Sequence, residues 1–373
     1  MNLADLPDVI FVTKDPKEIE LNILKAWESA GGEAIAAADP RRLFFLTVAD
    51  IIARLGASID YAAKMNLLAY AKDNFLDHLG APVDTERLES SAALTTQRFI
   101  LSAPQASPLV IKQGIRVTKN GTNVYFQTIE PYTIPVGQTQ ADIVVECLQV
   151  GTVGNGYLAG ELDTLVDPIA FVQSVTNIEE TAGGAETEDD DSYRERIREA
   201  PEGFSTAGPE GAYIIHAKSA GAGIVDVAVS SPAPAEVLLT ILLRGGQIPN
   251  QAILDKVLAK VNNKTIRPLT DKVTADVPEV IGFDIDVEWW LHTDNLLFKE
   301  TIEKKVQKAL DEFVLWQKTK QGRDINPSEL NARLKNAGAK RVEISFPNYQ
   351  KLTKHQLAVA NIINLSYGGD EDG

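Results

Sequence analysis

The hydrophobic period of this chain changes at about residue 90, and that change restricts the fold more than any single residue does. Before it, Val48, Ile51, Ile52, Leu55, Ile59, Ala62 and Met65 recur at three- and four-residue steps, which lays one apolar stripe along a long helix. Two helix starts are written ahead of it. Asp15-Pro16-Lys17-Glu18 offers a capping acid, a proline for the first helical position and a Glu able to close a capping box, and Asp39-Pro40 repeats the first two elements. Gly80 and Pro82 end the helical segment. A stripe of this kind in a terminal segment is expected to pack on its own domain rather than to stand free for a partner.

From Ala92 to about Asn177 the texture is that of strands. Phe99 to Ala103, Ile115 to Thr118, Val124 to Thr128 and Ile143 to Val150 are short and β-rich, with turn clusters such as Lys119-Asn120-Gly121 between them. Beyond Pro201 the period switches repeatedly. Gly208-Pro209 opens a helix to about Ser219, strands run from Ile224 to Val229 and Val237 to Leu242, Ile253, Val257 and Val261 mark a helix, and Val273 to Val277 is a strand. A second set follows: a strand through Phe283 to Leu291, helices from about Leu296 to Trp316 and Pro327 to Asn336, and strands at Val342 to Phe346 and near Ala358 to Leu365. The reading is a multi-domain α+β chain. Its expected parts are a helical N-terminal domain (1–88), a small all-β domain (89–182), a Gly-rich hinge with an acidic-start helix (183–204), an α+β unit (205–278), and a second α+β unit (279–373) ending in a frayed acidic tail. The 373 residues, against about 150 for a typical domain, accommodate that count.

Charge narrows the partners. Lys plus Arg total 36 against 52 for Asp plus Glu, a formal charge of −16, whereas a duplex binder needs the opposite sign to displace phosphate counterions. No nucleic acid is expected, and a protein partner should be basic or dock through apolar patches. The single Cys147 cannot form an intrachain disulfide or a Cys-rich zinc site. Leu43 to Leu55 and Val237 to Leu243, the strongest apolar runs, fall short of the roughly 20 residues that span a bilayer, and the first residues show no basic start before an apolar run. No direct membrane contact is expected, and synthesis is expected in the cytoplasm.

The candidate chemical motifs each have a plainer reading. Gly151-Thr152-Val153-Gly154-Asn155-Gly156 suggests a phosphate loop, but no helical periodicity and no P-loop Lys follow, so it reads as a turn. Glu186 to Asp191 lacks calcium-loop spacing and reads as the start of a helix, with Asp190 four residues before Arg194. Asp284, Asp286 and Glu288 alternate with apolar residues and share one face of a strand: a solvated face, a surface for a basic partner, or an acid/base pair or metal seat. Trp289-Trp290 point to opposite faces of that strand, so one ring is expected in the core and the other under a subunit interface. His78, His216, His292 and His355 are scattered, no Ser sits in a G-x-S-x-G elbow, and no cofactor, metal or catalytic residue is assigned.

An ordered set of motifs resembles the baseplate J-like proteins, wedge components of contractile phage tails and related injection machines. It comprises Asn74-Phe75-Leu76-Asp77-His78-Leu79-Gly80, Gly114-Ile115-Arg116-Val117, Tyr125-Phe126-Gln127-Thr128, the Gly151–Gly156 stretch, Val172-Gln173-Ser174-Val175-Thr176-Asn177, Gly183-Gly184-Ala185-Glu186-Thr187-Glu188 leading to Tyr193-Arg194-Glu195-Arg196, and Arg267-Pro268-Leu269-Thr270-Asp271. The resemblance covers about residues 15 to 345, and size and charge are similar to the version in simple P2-like baseplates. Gly221-Ala222-Gly223-Ile224 stands where the family usually has Pro-Gly, and the end beyond Phe346 follows no assigned pattern.

The resemblance implies a non-enzymatic structural subunit of the virion tail baseplate, made in the host bacterial cytoplasm. It implies several copies, pairing with themselves, with a smaller wedge protein and with the hub, in wedges that rearrange as the tail contracts. Gly183 and Gly184 are expected to form the hinge between the β-domain and the α+β units, and Trp289, Trp290, Asp284, Asp286 and Glu288 to lie at an interface. The alternative is a carbohydrate-binding or carbohydrate-cleaving tail protein, motivated by the β-domain and the carboxylate row. A cytoplasmic scaffold unrelated to viruses is the third reading.

Overall fold

The computed structural model describes residues 3–204, 209–263, 268 and 270–372. The Asp15 carboxylate accepts the Lys17 amide and Pro16 takes the first helical position, so α1 (Pro16–Ser29) begins where its capping residues require. α2 (Arg41–Lys64) starts behind Asp39-Pro40, with the Arg41 amide donating to Asp39 at 2.9 Å. α3 (Asp73–Gly80) and α4 (Asp190–Glu199) complete the helices of the first unit, which comprises the described residues up to Arg87 together with Asp189–Pro201.

α4 belongs to this unit because its side chains are built into α3. Tyr193 and Ile197 are buried with Ala71 and Leu76, and the Tyr193 hydroxyl donates to the Thr85 carbonyl at 2.7 Å. Gly80 makes room, since a Cβ there would lie 2.1 Å from that hydroxyl. Arg194 donates to the Leu68 and Ala71 carbonyls at 2.8 Å each. The acidic-start helix is therefore a packed member of the helical unit, although the sequence suggested a joint of its own at 183–204.

The second unit comprises the described residues of Leu88–Glu188 and Glu202–Gly373. Its first part is all β: β1 (Ala92–Leu101), β2 (Leu109–Ile111), β3 (Arg116–Thr118), β4 (Tyr125–Thr128), β5 (Tyr132–Ile134), β6 (Gln140–Val150), β7 (Thr164–Leu165) and β8 (Val172–Asn177). Six strands pair antiparallel in the order β7-β3-β4-β6-β1-β8, and β2 pairs with β5. Alternate residues of β1 and β6 turn inward, which places Phe99, Leu101, Ile143, Val145 and Cys147 in one core with Phe126. β2 and β5, at three residues each, are too short to show a period in sequence.

Next come α5 (Glu210–Lys218), β9 (Ile224–Ser230), β10 (Glu236–Leu243), α6 (Gln251–Val261) and β11 (Lys272–Asp276). β10 is central, antiparallel to β9 and parallel to β11, and α6 makes the crossover that a parallel pair needs. The last part is β12 (Glu279–His292), α7 (Lys299–Lys318), α8 (Pro327–Asn336), β13 (Arg341–Phe346) and β14 (Gln356–Glu371). Here β12 is central, antiparallel to β13 and parallel to β14. Ile302, Val306, Leu310 and Phe313 of α7 and Leu330 and Leu334 of α8 share a core with Phe283, Ile285, Val287 and Trp289.

The architecture is the expected multi-domain α+β arrangement. Its end differs from expectation. The polar run from Gly368 is strand rather than frayed tail: β14 stays paired with β12 as far as His292 and Glu371, and Glu371 reaches Arg341 at 2.6 Å. A distant partner strand and an ion pair hold a segment that composition alone marks as loose. Gly208, Arg267 and Leu269 of the stretches singled out in sequence lie outside the described residues.

Candidate interaction surfaces

The α2 stripe sits on the open side of its helix. The contact with α1 is made through small residues: Ala49 and Ala53 are buried with Ile19, and Gly56 admits the Thr13 carbonyl and the Val12 side chain, where a Cβ would lie 3.0 Å from the Thr13 carbonyl oxygen. Asp60, on the same face, is 1% exposed, accepts the Phe11 amide at 2.8 Å and pairs with Lys14 at 2.6 Å. Lys14 and that amide hold its carboxyl below the usual range. Because the small residues and Asp60 take the inward positions, Leu43, Phe44, Ile51 and Leu55 are 69, 67, 60 and 59% exposed, with Ile52 and Ile59 beside them. Met65 at the end of the stripe is buried and Val48 half-buried, but Ile51, Ile52, Leu55, Ile59 and Ala62 between them do not pack on their own domain. Open apolar faces of this extent are the kind that association covers.

The carboxylate row lies on the face of β12 away from α7 and α8. Asp284 accepts the Ile362 amide at 3.3 Å and Asp286 accepts the Asn364 amide group at 2.7 Å, so the row is tied to β14. Asp284 lines a cleft of about 400 Å³ with the exposed rings of Phe346 and Tyr349, and Asp286 and Glu288 are not part of its lining. Hydrolysis of a glycosidic bond needs two carboxyl groups facing one substrate, and this row supplies one to the cleft.

Trp289 and Trp290 are both buried, at 2 and 8% exposure. Trp289 meets Tyr367 with ring centroids 5.0 Å apart. The ring of Trp290 is packed on by residues of this chain. The Arg341 guanidinium lies 3.4 Å from its ring centroid, and Gly368 passes so close that a Cβ would come within 2.3 Å of the ring.

The Gly183-Gly184 segment is held on both sides. Ser91 donates its hydroxyl to the Gly183 carbonyl at 2.8 Å, the Asn155 amide group donates to the Gly184 carbonyl at 2.8 Å, and the Gly184 amide donates back to Asn155 at 2.9 Å. Gly183 has φ +88°, a left-handed conformation that favours glycine. The two glycines line a cavity of about 440 Å³ with Thr152, Arg244 and Lys318. Gly151–Gly156 is the turn that delivers Asn155 to this contact.

The acids that follow divide their tasks. Glu188 is buried, and its carboxylate accepts the Leu88 amide at 3.1 Å. Asp189 caps α4 through the Ser192 amide at 2.8 Å. Arg194 acts on Asp190 through its charge, and the direct partners of Asp190 lie elsewhere. Asp190 pairs with Arg87 at 2.8 Å and accepts the Asp73 amide at 3.0 Å, while Asp191 meets Arg194 at 2.5 Å. Burial raises the Asp190 carboxyl, but the Asp73 amide and Arg87 outweigh it and the net position is below the ordinary value. Sequence reasoning missed Arg87 because Asp190, one of its carboxylate partners, is over a hundred residues away. It missed Asp60 because an acid among apolar residues reads as exposed.

Among the described residues no group of three or more His, Cys, Asp or Glu side chains is placed to hold a metal ion, and no helix is long and apolar enough to cross a membrane. His355 instead faces the Thr240 hydroxyl at 2.9 Å, and burial lowers its pKa.

Comparison with known proteins agrees with the motif order. The baseplate J-like protein barrel domain matches residues 96–184, the baseplate J-like central domain residues 205–276, and the baseplate J-like protein C-terminal domain residues 291–366. The last match runs past Phe346, where the sequence alone offered no pattern. Baseplate protein J of Escherichia phage P2 is 34% identical over 161 residues, 43% of this chain, and the chain spans about half (52%) of that protein's length. Among solved structures, a chain of the 6-fold symmetrised cryo-EM structure of the anti-feeding prophage (AFP) baseplate is similar at TM-score 0.38 and 12% identity, over 92% of this chain and 90% of that one, a likeness on which nothing here rests. Three successive domain matches cover more than half of the sequence, and the chain belongs to the baseplate J-like protein family.

Proposed function

We propose that this protein is a structural subunit of the baseplate wedge of a contractile phage tail or related injection machine, without catalytic activity of its own. It sits in the virion tail baseplate, holds it ready, and takes part in the rearrangement that accompanies sheath contraction. Its partners are further copies of itself, a smaller wedge protein and the hub. The observation that carries this reading is the open apolar face of α2, a surface an isolated enzyme has no use for and an assembly subunit needs. A helix presenting Phe44, Ile51, Leu55 and Ile59 at helical spacing fits other amphipathic helices side by side. The family and its relative's name, baseplate protein J, support the same assignment.

The test is complementation. A double variant, Ile51→Glu with Leu55→Glu, is expected to fold and to yield no complete baseplates in cells that lack the native chain. Normal, infectious particles from that variant would contradict the reading.

A further inference from the structure

The dipeptide Asn-Gly occurs twice, at Asn120-Gly121 and Asn155-Gly156, and the structure treats the two in opposite ways. Asn120 and Gly121 are the central pair of the turn that joins β3 to β4, closed by the Thr122 amide on the Lys119 carbonyl at 3.2 Å. Both are exposed, Gly121 has φ +82°, and a Cβ built on it meets no atom within 4 Å. Among the described residues nothing is hydrogen-bonded to the Asn120 side chain or to the Gly121 amide. Asn155 is half-buried. Its side-chain amide group donates to the Gly184 carbonyl at 2.8 Å, its side-chain oxygen accepts the Gly184 amide at 2.9 Å, and the next nitrogen, that of Gly156, donates to the Thr181 carbonyl at 2.9 Å.

We propose that Asn120 is a site of spontaneous covalent modification, and that the Gly184 contact protects Asn155 from the same reaction. The Gly121 amide nitrogen loses its proton and attacks Cγ of Asn120. A C–N bond forms, the side-chain nitrogen leaves as ammonia, and a succinimide ring remains. Water then opens the ring. Cleavage at Cγ gives aspartate, and cleavage at the former backbone carbonyl gives isoaspartate, in which the main chain runs through the side chain. One water is consumed and one ammonia released, with no oxidant, reductant or enzyme. Glycine leaves the attacking nitrogen least shielded, because it carries no Cβ. At Asn120 both reacting groups are open to water. At Asn155 the attacking nitrogen is held by Thr181, and the carboxamide has to leave Gly184 before it can turn back to its own backbone, so reaction waits on local opening. The product adds a negative charge next to Lys119, which pairs with Glu161, and isoaspartate lengthens by one atom the turn that sets β3 on β4.

This chemistry is independent of the proposed subunit role, and its test uses the full chain in solution. One sample is kept folded in warm, mildly alkaline buffer and a second is unfolded in urea, and peptides covering each site are followed by mass spectrometry. Conversion is read as the mass gained when a carboxamide becomes a carboxylic acid, and isoaspartate by enzymatic methylation of its α-carboxyl group. In the folded chain Asn120 should convert at least about tenfold faster than Asn155, which has to break its hydrogen bonds first. In urea the two sites should convert at similar rates. Isoaspartate should appear at position 120, since direct hydrolysis of the side chain yields aspartate alone. A folded chain that keeps Asn120 intact, equal conversion of both sites in the folded chain, or conversion without isoaspartate would each overturn the proposal. If Asn155 stays the slower site in urea, its protection does not come from the Gly184 contact and that half of the proposal fails.

Discussion

The side chain of Asn155 and the backbone of Gly184 hold each other by two hydrogen bonds, at 2.8 and 2.9 Å, across 29 residues of sequence. The glycine is buried, and a Cβ on it would stand 2.3 Å from the Gly151 carbonyl oxygen. In this conformation the Gly-Gly pair is a point of close backbone approach. We propose that movement there, if the machine uses it, requires breaking the Asn155 pair.

Gly184→Ala should then destabilise the chain by about 1–3 kcal/mol, as overpacking does, and Asn155→Ala by a similar amount through an unsatisfied buried amide. Calorimetric melting of both variants checks this. A glycine needed only for freedom of motion would accept Ala at Gly184 with little change in melting temperature.

The helical unit depends on Arg87, which joins Asp77, Asp190 and the ring of Tyr193, 4.7 Å from its guanidinium. Arg87→Met is expected to cost about 1.5–3 kcal/mol, the range for hydrogen bonds to charged groups. Limited proteolysis around α3 and α4 should show the loss first.

The same unit should weaken in acid. The Asp60 and Asp190 carboxyls are held below their ordinary value in the folded chain. A depressed carboxylate contributes its full stabilisation above its unfolded pKa, about 4, and loses it as the pH falls through the lower native value. Helical signal followed by circular dichroism should therefore drop below about pH 4. Asp60→Asn should flatten that dependence while lowering stability at neutral pH.

On α2 the two faces should respond in opposite ways. Ile51→Glu or Leu55→Glu changes exposed positions and should alter stability by less than about 0.5 kcal/mol, whereas Ala53→Leu forces a buried contact and should cost about 1–3 kcal/mol. Thermal melts of the isolated chain separate the two.

In the last sheet, Trp290→Ala should cost about 3–5 kcal/mol because the ring fills the space between Arg341 and Gly368. Gly368→Ala should release the end of β14, seen as faster amide exchange from Tyr367 to Glu371.

Local patterns made much of the fold legible. Asp15-Pro16 and Asn326-Pro327 cap helices in the way their chemistry requires, and the inward alternation of Phe283, Ile285, Val287 and Trp289 is the core of its sheet. What escaped was set by distant partners. The α2 stripe was readable but its direction was not, because Ala49, Ala53 and Gly56, a quieter row of small residues, took the inner face. The cover of Trp290 and the order of the acidic end come from Arg341 and from pairing with β12, neither of which leaves a local trace. The candidate sites divide similarly: the α2 residues were visible as a stripe, while the contrast between Asn120 and Asn155 follows only from their hydrogen bonds.

The most direct test of the account is cross-linking mass spectrometry on purified tail particles from the source cells. The chain should be found in the baseplate, with cross-links from Lys17, Lys25 or Lys64, beside α1 and α2, to a helical segment of another baseplate chain. Particles that assemble and contract without this chain would contradict it.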